Sequence, residues 1–224
     1  MEENKLLLGL DLSLASREAI ELLIEYASEP SIFGEIVRAN FKRPEVLRIL
    51  FENPDTPEEV RELAAQGLNI SLKPLTISES PRRQSESPQN LLQRVQRLSV
   101  AEKIRLALRC NKEVRSALIK DPNKEVVLTV LENPKITETE IEMIATIRSI
   151  PEEALRKIAK KREWIKNYAI VFALVKNPKT PAGIAIGFLN GLKTKDLSIL
   201  ENNKNVAEAV RIMAKKILQS RKMY

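Results

Sequence analysis

The chain of 224 residues holds no histidine and one cysteine, Cys110, so its chemical inventory is narrow from the start. Zinc sites, iron–sulfur cages, Ser-His-Asp triads and Cys-His nucleophiles all need residues that are missing here. Cys110 closes an aliphatic run over 103–110 and reads as a small buried hydrophobe in a reducing compartment. The residue types that remain are suited to recognition. Lys157, Lys160, Lys161, Arg162 and Lys166 form a basic cluster around Trp164, Asn167 and Tyr168. Trp164 and Tyr168 stand four residues apart, which puts them on one face of a helix predicted over 163–176, and the free amides at its start favour an anion beside the lysines. A structural reading competes with this one. Lys157, Lys160 and Lys161 end a helix predicted over 151–161 whose first turn carries Glu152 and Glu153, an arrangement that complements the helix dipole. The aromatic pair would then cap the core with its polar atoms at the edge. These eight residues are the candidate partner-binding surface; no catalytic, metal or cofactor-binding residue is expected, and the chain is not expected to be an enzyme.

The elements that must position this surface announce themselves by repetition. Three times an apolar run ends in Asn-Pro and is followed at once by a helix start: Asn53-Pro54-Asp55-Thr56-Pro57, Asn133-Pro134-Lys135-Ile136-Thr137 and Asn177-Pro178-Lys179-Thr180-Pro181. Asn tolerates the left-handed conformation that closes a helix, Pro blocks continuation, and Thr accepts a hydrogen bond from the next helix's free amides. The repeat extends upstream: Leu50, Val130 and Leu174 correspond at offsets of 80 and 44 residues. A shorter echo, Asn111-Lys112-Glu113-Val114 against Asn123-Lys124-Glu125-Val126, fits one short helix plus a turn.

Serine or threonine three residues before glutamate predicts capping boxes at Thr56/Glu59, Ser99/Glu102 and Thr137/Glu140. Apolar spacing predicts helices over 16–28, 31–40, 43–52 and 57–67, then 89–97, 100–109, 111–120, 123–132, 138–147, 151–161, 163–176, 181–191, 194–201 and 205–219. Most are about three turns, too short to persist alone in water, so they must be held by stacking. No run of β-branched residues bounded by hairpin turns is present, and the expected class is all-α, an α-α superhelix of short stacked helices. The Ser/Pro-rich stretch 69–90, with Ser78-Glu79-Ser80-Pro81 echoed by Ser85-Glu86-Ser87-Pro88, predicts a flexible linker between a module at 1–68 and another at 91–224. Net charge is −7 over 1–68, +1 over 69–92 and +13 over 93–224.

The phrases NPDTPEEVRELA (53–64) and NPKTP (177–181) resemble the signature of leucine-rich repeat variant proteins, α-helical solenoids akin to HEAT arrays. NKEVRSALIKD (111–121), LENPKIT (131–137), REWIKNYA (162–169) and LVKNPKTP (174–181) are similar to a bacterial family with no assigned activity. Some leucine-rich repeat variant proteins carry an iron–sulfur cluster on a Cys-rich segment; with Cys110 alone, that feature does not carry over. The resemblance implies a non-enzymatic interaction scaffold. Its expected partner is an acidic protein surface or the chain's own acidic first module, with nucleic acid as the alternative and a HEAT-like DNA-repair enzyme as the third reading. The start Leu6-Leu7-Leu8 lacks a basic leader, and no window approaches a membrane span, so a cytoplasmic protein without membrane or cofactor is expected.

Overall fold

In the computed structural model, which describes residues 12–26, 30–70 and 88–222, every regular element is helical. The chain divides into two compact units, Met1–Leu118 and Ile119–Tyr224. Unit 1 contains α1 (Arg17–Tyr26), α2 (Ser31–Ala39), α3 (Pro44–Glu52), α4 (Glu58–Gly67), α5 (Pro88–Arg97), α6 (Val100–Arg109) and α7 (Lys112–Leu118), entered by a 3-10 turn at Leu12–Leu14. Helix α1 packs against both α3 and α6. Its start is tied to each of them: Arg43, just before α3, donates to the carbonyls of Ser13 and Ala15 at 3.1 and 2.8 Å, and the Ser16 amide donates to Glu102 Oε1 in α6 at 2.8 Å. At the far end the Asn111 amide donates to the Tyr26 carbonyl at 2.9 Å. The three helices therefore run in the same direction.

These ties put the division of the chain in a different place from the linker at 69–90. Helices α5 to α7 belong with residues 12–70: α6 packs on α1, α7 packs on α5 and α6, and ion pairs of α5 and α6 reach α1 and α2. Arg94 pairs with Glu25 at 2.9 Å and Arg109 with Glu35 at 2.5 Å, so acidic and basic segments meet inside one unit. The expected linker lies mostly at 71–87, outside the described residues.

Unit 2 contains α8 (Lys124–Val130), α9 (Glu138–Thr146), α10 (Glu152–Lys160), α11 (Arg162–Ile165), α12 (Tyr168–Lys176), α13 (Ala182–Leu189), α14 (Thr194–Asn202) and α15 (Glu208–Lys222). Lys124 to Glu153 (3.4 Å) and Lys157 to the Leu128 carbonyl (3.2 Å) set α10 parallel to α8. Asn167 to Glu138 (2.7 Å) and Asn177 to the Ala145 carbonyl (2.8 Å) set α12 parallel to α9. Tyr168 bonds Asp196, which joins the starts of α12 and α14; Arg221 reaches the Leu192 carbonyl at 2.8 Å, which joins the ends of α13 and α15. Each tie spans 28 to 32 residues in sequence. The stacking step is thus about 29 residues, and the 44-residue offset between Asn133 and Asn177 is one and a half steps. The two turns accordingly sit at opposite ends of α9, which starts just after the Asn133 turn and ends at the carbonyls that Asn177 binds.

The chemistry of the Asn-Pro turns also differs from expectation. Asn53 and Asn177 are extended, with φ of −76° and −78°, and the left-handed residue of the described chain is Asn69, φ 55°, past the end of α4. What closes the turn is the side chain: Oδ1 of Asn53, Asn133 and Asn177 accepts the amide two residues on, at 3.0, 2.9 and 3.0 Å. A fourth copy appears at Asn203, whose Oδ1 accepts the Asn205 amide at 3.0 Å. Leu50, Val130, Leu174 and Leu200, each three residues before the asparagine, are all at most 1% exposed, so the four turns share one anchor in the core.

Threonine plays two roles at these turns. Thr137 caps α9 in a full capping box with Glu140, as Ser99 caps α6 with Glu102. Thr56 and Thr180 do not cap: their helices begin after Pro57 and Pro181, and no Thr56/Glu59 box forms. The extra residue Ile136 explains the contrast, since it takes the position of Thr56 and Thr180 and moves Thr137 one place on. In all four copies the amide of this position, on Thr56, Ile136, Thr180 or Val206, donates to the asparagine carbonyl. Thr180 Oγ1 bonds back to the Leu174 carbonyl at 2.5 Å, whereas the buried Thr56 Oγ1 has no hydrogen-bond partner. Valine fills this site naturally at 206. Thr56→Val is therefore expected to stabilise unit 1 by about 1 kcal/mol and Thr180→Val to destabilise unit 2 by about as much. Urea unfolding of the two variants checks the signs.

Candidate functional site

Around the basic cluster the chain breaks where the apolar pattern runs on. Asn167 Oδ1 accepts the Ala169 amide at 2.9 Å and so starts α12 afresh, a role for which asparagine is among the best residues. The expected helix over 163–176 is consequently two, α11 and α12, and Trp164 and Tyr168 sit on different ones. Trp164 is buried at 5% exposure, with the Lys161 ammonium 4.1 Å from its ring centre. Lys161 Nζ also lies 4.0 Å from Glu163 Oε2. Lys157 turns away from the cluster, donating to Glu132 Oε1 at 2.5 Å and to the Leu128 carbonyl. Asn167 Nδ2 is committed to Glu138.

Tyr168 fastens α12 to α14. Its hydroxyl donates to Asp196 and accepts the Lys193 amide at 2.9 Å, while the Lys193 ammonium lies 5.0 Å from the ring centre. Burial and then the Asp196 bond push the phenol above its usual range, so it stays protonated and offers no base. Of the eight expected residues, Lys160, Arg162 and Lys166 are the ones that stand exposed with no ion pair among the described residues.

The fold adds three cations that the sequence reading did not include. Lys193 reaches over Tyr168, Lys195 follows in the first turn of α14, and Arg221 donates to the Leu192 and Asn190 carbonyls at 2.8 and 2.7 Å. One edge of unit 2 therefore runs from the α10–α11 junction, past the start of α12, to the start of α14 and the end of α15. Two of its carboxylates lie in ion pairs, Glu132 with Lys157 and Glu163 with Lys161 at 4.0 Å, and two accept hydrogen bonds from neutral groups, Glu138 from Asn167 and Asp196 from Tyr168. Composition agrees. Residues 119–161 carry 8 Lys+Arg against 8 Asp+Glu, but 162–222 carry 12 against 4, which places the net charge of unit 2 in α11 to α15. A signal for the missed residues was present: one stacking step of 29 residues leads from Lys166 to Lys195. The conspicuous 44-residue Asn-Pro offset concealed it.

Elsewhere the molecule offers less. A cleft of about 400 Å³ in unit 1 is lined by Ile24, Ile49, Glu52 and Asn53 together with Arg17–Glu21 and Arg94–Glu25, whose charges pair at 2.9 Å. Cys110 is fully buried, its Sγ 3.8 Å from the Ala107 carbonyl. Among the described residues no group of three His, Cys, Asp or Glu could hold a metal ion, and no helix is long and apolar enough to cross a membrane. Comparison with family models, with characterised proteins and with solved structures returned no match to this chain.

Proposed function

We propose that the chain is a non-enzymatic scaffold of stacked helical repeats, resembling leucine-rich repeat variant and HEAT-like solenoids, that works in the cytoplasm by holding an acidic protein partner. The observation that carries this reading is the edge of unit 2 on which cations outnumber carboxylates and Lys160, Arg162 and Lys166 face solvent unpaired. Nucleic acid is the second reading, since the same field attracts phosphates. Stacking platforms for bases are poor, however: Trp164 is buried and the Tyr168 ring lies beneath Lys193. A DNA-repair enzyme of the HEAT-like kind would need an accessible Trp, and Trp164 is the chain's one tryptophan. The test is an affinity pull-down with the full chain from native extract, with and without nuclease. Truncation at residue 91 would cut unit 1 apart, so it is avoided. Protein partners retained after nuclease support the scaffold; complete loss of retained material on nuclease treatment overturns it in favour of the nucleic-acid reading.

A further inference from the structure

We infer that the basic edge of unit 2 accepts an acidic helix of a partner protein, one that presents Asp or Glu on a single face at about two-turn intervals; this rests on the scaffold reading and specifies its ligand.

The first support is spacing. The exposed cations come in two groups: Lys160, Arg162 and Lys166 before α12, then Lys193 and Lys195 at the start of α14, one stacking step later. The Tyr168–Asp196 bond holds the starts of α12 and α14 side by side, at a spacing of about 10 Å, close to that of neighbouring helices. A partner helix rises about 1.5 Å per residue, so carboxylates about seven residues apart recur at roughly 10.5 Å and meet one cation group per stacking step.

Charge is the second support. Glu132 and Glu163 are paired with Lys157 and Lys161, and the exposed Lys160, Arg162, Lys166, Lys193 and Lys195 outnumber the two remaining carboxylates, Glu138 and Asp196, so the edge keeps a net positive field for an incoming carboxylate. The third support is that the chain already makes this kind of contact. In unit 1, Glu25 on α1 pairs with Arg94 on α5, and Glu35 on α2 pairs with Arg109 on α6, so carboxylates of one helix meet guanidinium groups of another through partly exposed pairs.

An extended polyanion would find the same charge without the same spacing, and the experiment separates the two. Full-length protein is titrated by fluorescence anisotropy at about 0.15 M salt against three probes. These are a helical peptide with glutamates every seventh residue, a peptide of the same composition in scrambled order, and a DNA duplex. Three or four exposed pairs at about 0.2–1 kcal/mol each predict that the spaced peptide binds about ten-fold more tightly than the scrambled one. That preference is expected to vanish in Arg162→Glu/Lys166→Glu and in Lys195→Glu, each checked for an unchanged unfolding midpoint. It is expected to persist in Lys176→Glu/Lys204→Glu, at the end of α12 and on the turn that follows α14. Equal affinity for the two peptides, tighter binding of the duplex, or equal sensitivity to both sets of variants overturns the inference. Repeating the extract pull-down with Arg162→Glu/Lys166→Glu keeps the two readings apart. Protein partners retained by this variant leave the scaffold standing and overturn the edge as its site, whereas no protein partner on the unsubstituted chain overturns the scaffold itself.

Discussion

Replacing Asn177 with leucine is expected to lower the stability of unit 2 by about 3 kcal/mol, the largest effect anticipated for a polar side chain in this molecule. The residue is 5% exposed and satisfies three backbone groups at once. Its Nδ2 donates to the Ala145 and Ile147 carbonyls at 2.8 and 3.0 Å, and its Oδ1 accepts the Lys179 amide at 3.0 Å. Leucine is close to asparagine in length and leaves little void, so the loss reflects the buried Ala145 carbonyl and the Lys179 amide deprived of partners, and the part-buried Ile147 carbonyl left with the Ile150 amide at 3.4 Å alone. Asn203 closes the same turn but is half-buried, and Asn203→Leu is expected to cost about 1 kcal/mol. Urea midpoints with unchanged slopes would report both values. Equal losses at the two sites would show that Asn177 contributes nothing beyond its own turn.

Glu102→Gln is expected to weaken unit 1 by about 2 kcal/mol near neutral pH and to remove part of its acid sensitivity. Glu102 serves two helix starts. Oε1 accepts the Ser16 amide before α1 at 2.8 Å, and Oε2 accepts the amide and hydroxyl of Ser99 before α6 at 2.9 and 2.7 Å. Burial pushes the carboxyl up, but the bonds from Ser16 and Ser99 outweigh it and hold the group at about 2, against an ordinary value of 4.5. Because the folded value lies below the unfolded one, the stabilisation is fully present above pH 4.5 and is lost as pH falls from there towards 2. The group is partly exposed, so screening reduces the gain to a fraction of what the shift alone implies. The difference in stability between the native chain and Glu102→Gln, followed by circular dichroism from pH 7 downwards, is expected to shrink across this interval. A constant difference would show that the carboxylate charge is not what joins the two helices.

Helix starts marked by a full capping box were legible in the sequence, whereas local asparagine turns without proline, and contacts with distant partners, were not. The helix from Val100 to Arg109 was placed to the residue because Ser99 and Glu102 cap it within one turn. The helix after Thr137 was placed almost as closely for the same reason. The break at Asn167 was missed although its cap, Asn167 Oδ1 with the Ala169 amide, is local, since helical apolar spacing continues across it. Thr56 carries the same residue type and spacing as a capping threonine; its different role follows from the helix starting two residues later. The fourth turn escaped notice because Asn203 is followed by lysine, although the bond that closes it, from the Asn205 amide to Asn203 Oδ1, needs no proline. At the candidate surface the sequence placed Lys160, Arg162 and Lys166 together, but Lys193 and Arg221 join them only through contacts with Tyr168, Leu192 and Asn190.

The position of α1 between α3 and α6 has a consequence for synthesis. A helix whose neighbours are adjacent in sequence can bury itself as it leaves the ribosome. Helix α1 finds α3 quickly, but the Ser16 amide must wait 86 residues for Glu102. At about 5–20 residues per second, that interval lasts about 4–17 s, during which the flank of α1 destined for α6 remains uncovered. The N-terminal helices are thus translated as an incomplete body whose missing wall arrives last, and nascent chains stalled between α4 and α6 are the form of this protein most exposed to chaperones and to self-association.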